Sequence, residues 1–354
     1  MGINETLGQY SELFMLLAGV AYTVAFISFT IDLARSSKTT KAVEARSAAA
    51  ARVPVLAGAG ASAGMGGSSG PEGLAERPAA AKSSGGGGLT ADDSMRYGGE
   101  RRVVARVAVA LTVLAAVIHG VGVVTRGIAA ARVPWGNMYE FCTTGGLIVT
   151  VVFLLVLTRR DLRFLGTFVV GLSLIMLIAA ETAFQTPVGH LVPALQSYWL
   201  VIHVSVAVFS AGLFTLTFAM SVLQLLQSRR TTALAAGKPD RMPFMRQVPS
   251  ALSLENLAYR INTIGFVTWT FTLMFGALWA EKAWGRFWGW DTKEVWTFVI
   301  WVVYAGYLHA RATRGWTGTR AAWLSIVGYL CVVFNFTIVN VFFSGLHSYA
   351  GLPS

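Results

Sequence analysis

The chain returns repeatedly to apolar runs of about 20 residues, the length at which an α-helix crosses a hydrocarbon core. Eight such runs are read, at roughly 12–33, 104–125, 142–158, 164–182, 198–224, 261–280, 294–310 and 321–344. Backbone groups in lipid must pair internally, so repeated runs of this length fold as packed helices. The expected fold class is all-α, a polytopic transmembrane helix bundle. Composition agrees: 13% of the 354 residues are charged, against about a quarter in a soluble domain.

The expected organisation has three parts: a first transmembrane helix over 1–34, a linker over 35–100, and a membrane domain over 101–354. The linker contains AGAGASAGMGGSSGPEG and KSSGGGG. Such sequence cannot bury a core and is expected to be a disordered cytoplasmic loop. Lysine and arginine set the orientation, because they gather on the cytoplasmic side. With the N-terminus outside, 23 of the 28 Lys/Arg fall inside, leaving Arg126, Arg132, Lys282, Arg286 and Lys293 outside. The expected topology is N-out and C-out. The net charge of +11 follows from this bias and implies no nucleic-acid partner. The two cysteines, Cys142 and Cys331, form neither CxxC nor CxxCH. That argues against a thiol-exchange enzyme and against a c-type cytochrome.

One segment departs from the membrane pattern. WGRFWGWDTKEVW, residues 284–296, holds Trp284, Trp288, Trp290 and Trp296 with Arg286, Asp291, Lys293 and Glu294. Tryptophan is common at membrane interfaces. The intervening Gly285 and Gly289 go further, since glycine lets a flat ligand approach the backbone. Asp291 and Glu294 have the spacing of a capping box at a helix start.

Ionisable residues within spans are functional candidates. His203 near the start of the fifth span and His347 after the eighth return to the outer level of the tryptophan segment. Two imidazoles there are candidate axial ligands of a haem iron. His309 lies near the inner end of the seventh span and His119 in the outer half of the second. These two sit at unlike depths, so they are not read as one axial pair. A hydrogen bond between helices is the ordinary alternative for each. Asn340, Ser344 and His347 are spaced to share one helical face. Glu140 is read as a partner for an outer arginine.

Several segments together resemble a known family. WAEKAWGRFWGWDTKEVWTFVIW (279–301), YLHAR (307–311), VNVFFSGLHSYAG (339–351), PWGNMYEF (134–141) and SYWLVIHV (197–204) are similar to the WWD haem-handling proteins. Among these the chain looks most like the CcsA/ResC proteins of system II cytochrome c biogenesis. One departure is Thr292, where the family usually has proline after the WWD aspartate; proline there only pre-sets the helix. The resemblance implies outer haem ligands at His203 and His347 and an inner one at His309, with His119 a further candidate metal ligand. It implies a haem-binding surface including Trp284, Trp288, Trp290, Asp291, Trp296, Arg286 and Arg126. The implied cofactor is haem b, carried transiently as substrate. The implied activity is haem delivery and ligation to an apocytochrome CxxCH, as a subunit of a holocytochrome c synthase. A haem exporter without ligation activity is the alternative. Implied partners are a ResB/Ccs1-type membrane protein, apocytochrome c and a thioredoxin-like thiol reductase. The expected location is a bacterial cell membrane, with the site on the extracytoplasmic face and no residue assigned as catalytic acid or base.

Overall fold

A computed structural model describes residues 3–51, 91, 93–97 and 102–347. Nine α-helices, and no strand, occur among the described residues: α1 (Glu5–Ala51), α2 (Val103–Ala130), α3 (Met138–Leu157), α4 (Gly166–Ala183), α5 (Tyr198–Ala235), α6 (Ala251–Trp284), α7 (Thr292–Arg314), α8 (Thr319–Phe336) and the short α9 (Ile338–Phe342). The helices form an all-α bundle in two packed groups. In the first, α1 lies along α2 and α4, while α3 packs on α2 and α4; in the second, α5 lies along α6 and α8, with α7 between α6 and α8. Contact between α3 and α5 joins the groups.

Seven of the helical segments are long and apolar enough to cross a membrane, so the chain is a multi-pass membrane protein. The seventh expected span, now α7, does not meet that criterion, because Lys293 and Glu294 open it while His309, Arg311 and Arg314 close it. Packing nevertheless gives it the same height as its neighbours. Arg311 near its end donates to Glu255 (2.8 Å) and Asn256 (2.9 Å) near the start of α6. The start of α7 follows the end of α6 through the turn 285–291. At about 1.5 Å per residue its length suffices for a crossing.

Other boundaries moved. The fifth and sixth helices are longer than expected at 198–224 and 261–280, reaching Ala235 and beginning at Ala251. The last expected span, 321–344, breaks at Thr337 and ends at Phe342. Of the linker, 52–90, 92 and 98–100 lie outside the described residues. The α1 backbone continues to Ala51, and the piece 93–97 is tied down. Asp161 N–H donates to the Met95 carbonyl (2.7 Å), Tyr97 Oη to the Leu157 carbonyl (2.6 Å) and Ser250 N–H to Asp93 (2.8 Å). Polar backbone and one buried methionine override a Gly/Ser-rich neighbourhood.

The two ends of the bundle are held differently. At the end carrying most arginines, Arg102 pairs with Asp32, Arg230 and Arg246 with Asp240, and Arg311 with Glu255. Between the ends, aromatic packing dominates the second group. Phe214 stacks on Tyr304 with ring centroids 3.8 Å apart. Gly265 makes room, since a Cβ there would stand 2.6 Å from the Phe214 ring. Small residues serve this purpose widely between membrane helices.

Glu255 also accepts from Gln224 (3.0 Å) and from Gly318 N–H (2.8 Å). Glu255→Gln would strand the Arg311 guanidinium without a counter-charge, an expected loss of about 3 kcal/mol. Detergent-solubilised protein should show a lower Tm, and an unchanged Tm would refute the pair's importance. Burial raises the Asp240 carboxyl, but hydrogen bonds from Arg230, Arg246 and Met242 N–H outweigh it and pull it down to about 2. A depressed carboxyl stabilises the fold above its unfolded value of 3.8 and loses that contribution as pH falls towards 2. Asp240→Asn should therefore flatten the fall in stability between about pH 4 and pH 2, measured as Tm against pH.

Candidate functional site

The tryptophan segment lies at the opposite end of the bundle from those ion pairs. Helix α6 stops where Gly285 takes a left-handed conformation, φ 71°, which glycine adopts without strain. The Arg286 guanidinium then folds over Gly289, where any Cβ would collide with it. Glu294 gathers the turn: it accepts from Gly289 N–H (2.8 Å), Asp291 N–H (3.1 Å) and Arg286 Nη1 (3.3 Å). Asp291 caps α7, with the reciprocal capping box that the sequence predicts.

Asp291 also binds a distant part of the chain. Its carboxylate accepts from Leu346 N–H (3.0 Å) and from His347 Nδ1 (2.7 Å). Gly345 passes so close to the same carboxylate that a Cβ would not fit. The bond from His347 is the main reason that the Asp291 carboxyl is held below the usual range, against the effect of burial.

His203 is fixed in a parallel way from α5. Its Nδ1 lies 2.9 Å from the Thr272 carbonyl of α6. Gly276 admits the ring, since a Cβ there would stand 2.7 Å from it. With Nδ1 engaged in this way, Nε2 is the ring nitrogen through which either histidine could bind a metal. Trp279 stands beside both rings, stacked on His203 at 5.8 Å and edge-on to His347 at 5.4 Å.

Both histidines line two adjoining cavities. One also touches Trp288, Lys293, Thr297 and Asn335. The other also touches Trp135, Asn137, Trp279, Lys293 and Asn340. The lining is aromatic, with two imidazole rings and one lysine amine. It suits a flat, apolar, anionic ligand with a metal at its centre.

The other expected residues divide. Trp284 lies edge-on to His347 at 5.0 Å, and Trp288 forms cavity wall. Trp290 is 76% exposed and lines neither cavity. Trp296 packs on Phe334 at 4.3 Å instead of facing the histidines. Arg286 is engaged by Glu294. Arg126 is fully buried and pairs with Glu140, as does Arg132, which bears out the reading of Glu140 as an arginine partner. His309 is exposed on α7, one turn before Thr313. His119 is buried between α1 and α3 in the first helix group, 3.3 Å from the Tyr22 hydroxyl. The structure does not bring His119 and His309 together. The expected helical face of Asn340, Ser344 and His347 is absent, because the helix ends at Phe342. His347 reaches the site from an irregular segment held by Asp291. Trp135, Trp279 and Thr272 are cavity residues that sequence reasoning did not single out. One signal was available: Thr272, Gly276 and Trp279 recur at i, i+4 and i+7 on α6.

Comparison with known proteins agrees with this architecture. The Cytochrome C assembly protein family matches residues 135–347. The cytochrome c biogenesis protein CcsA of a Prochlorococcus marinus strain is 33% identical over 257 residues, covering 66% of this chain and 80% of its own. CcsA of Guillardia theta is 33% identical over 256 residues, covering 68% and 84%. CcsA of Porphyra purpurea is 31% identical over 282 residues, covering 70% and 88%. The chain therefore belongs to the Cytochrome C assembly protein family, and within it to the CcsA group.

Asp291→Ala should release the 343–347 segment as well as uncap α7, at a cost for the cap alone of about 1 kcal/mol. Hydrogen exchange at the Leu346 amide should accelerate strongly. Unchanged protection there would show that the segment is held by something else.

Proposed function

We propose that the site formed by His203, His347 and the tryptophan segment holds haem b and presents it to an apocytochrome CxxCH for thioether formation. The observation that carries this reading is the pair of histidines from separate elements, each fixed through Nδ1 and both lining the same two cavities. Membership of the CcsA group supports a role in cytochrome c biogenesis. In the reaction, a cysteine S–H adds across a vinyl group: sulfur bonds the carbon next to the ring and the proton ends on the terminal carbon. No external oxidant is required, and positioning is the main contribution that a protein can make. Trp279, Trp284 and Trp288 supply apolar and stacking contact. The two imidazoles hold the iron and tune its potential. Asp291 and the Thr272 carbonyl orient the imidazoles as outer partners commonly do.

In this reading the chain is a subunit of a holocytochrome c synthase in a bacterial cell membrane, with the site on the extracytoplasmic face. His309, exposed on α7, is the inner haem ligand and takes its second ligand from a ResB/Ccs1-type partner. A thioredoxin-like reductase keeps the apocytochrome thiols reduced.

The test is co-expression with a ResB-type partner and a CxxCH reporter in cells lacking their own system. Covalent haem on the reporter is expected, with a loss of about tenfold or more in His203→Ala and His347→Ala, on the scale of losing one metal–ligand interaction. A wild-type yield from both variants would remove the histidines from the mechanism. Bound haem without any covalent product would favour a carrier that performs no ligation.

A further inference from the structure

Haem carries two carboxylates on one edge, so a site that presents its vinyl edge must receive carboxylates elsewhere. The positive charges outside the inner end are unequal candidates. Arg126 and Arg132 are committed to Glu140, and Arg286 to Glu294. Lys282 is paired with its neighbour Glu281 and is 61% exposed at the side chain. None of these four lines either cavity.

Lys293 is different. It lines both cavities alongside both histidines. Its Nζ donates to Asn340 Oδ1 and lies 5.5 Å from the Phe336 ring centroid. Among the described residues it forms no ion pair with a carboxylate. Asn340 offers a neutral acceptor, which leaves two of the three ammonium hydrogens unassigned. A second donor faces the same space. Trp135 lines the cavity that contains Lys293 and Asn340, and its buried indole N–H has no acceptor among the described residues. A buried, unpaired donor is costly unless a ligand completes it.

We propose that Lys293, with the indole N–H of Trp135, forms a carboxylate-receiving subsite that binds a haem propionate. The proposal rests on the haem reading above and assigns the orientation of the macrocycle within it. An ammonium and an indole N–H are both donors, and the charge of the ammonium favours an ionised carboxylate over its neutral ester. The PWGNMYEF segment thereby gains a role in ligand recognition: Trp135 supplies the donor, while Glu140 restrains Arg126 and Arg132.

The probes are haem and haem dimethyl ester, titrated into the purified full-length chain and followed by visible absorption. The wild type should bind the free acid at least about tenfold more tightly than the ester, the scale of one charge-assisted hydrogen bond. Lys293→Gln should reduce that ratio by about tenfold, Trp135→Phe by less, and Lys293→Arg should retain it. Arg286→Gln should leave it unchanged. Equal affinity of the wild type for acid and ester would overturn the proposal whatever the variants do. So would an unchanged ratio in Lys293→Gln, or loss of the ratio in Arg286→Gln. The axial spectrum reads the underlying site separately. If His203→Ala and His347→Ala leave it unchanged, the histidine site fails, while the acid-to-ester ratio still reports on Lys293.

Discussion

A single carboxylate holds the functional end of this molecule together. Asp291 begins α7 and, through Leu346 and His347, fixes the chain beyond α9. Without it the segment 343–347 has no helix to set its position, because among the described residues regular structure stops at Phe342. A capping aspartate has two oxygens and about four acceptor sites. The helix start uses only part of that capacity, and the remainder holds the imidazole. Joining the two roles in one residue fixes the geometry of the site relative to α7. The same helix carries Lys293 and Thr297 along the cavity.

The opposite end is organised by charge neutralisation. Arginines that indicate the cytoplasmic side in the sequence are also structural. Arg230 and Arg311 are largely buried and paired with Asp240 and Glu255. Such pairs are poor sources of net stability, but breaking one leaves a buried charge. They therefore specify which helix ends meet. The bundle has a charge-locked end and an aromatic end that carries the two histidines, and α6 and α7 run between them.

Much of this was legible from residue order. Apolar runs located every major helix, and Asp291 with Glu294 announced the start of α7. Depth counting brought His203 and His347 to one end. The failures share a physical cause: local pattern does not reveal which elements are neighbours. Trp296 belongs to the tryptophan segment but turns towards Phe334 of α8. Arg126 has the charge to meet an anion, yet α3 supplies Glu140 first. The break at Thr337 is invisible because no glycine or proline marks it. The second role of Asp291 depends on a partner 56 residues away. In the linker, Met95 and Tyr97 outweigh the glycines, because a few anchored contacts with α3 and the start of α6 suffice to order a short piece.

The least apolar crossing helix, α7, sits where the function needs it. Its first turn carries Lys293 and Glu294, and its last turns carry His309, Arg311 and Arg314. Each polar group has a cost in lipid. The cost is offset at the start by the Asp291–Glu294 turn and the Lys293–Asn340 bond, and at the end by Glu255 and Asn256. These partners come from α6, from α9 and from the turn between helices. The helix is therefore compatible with a membrane only as part of the folded group. An element that depends on its neighbours in this way can hold charged side chains at both ends and a histidine near the second. A helix apolar enough to insert alone would have to give them up.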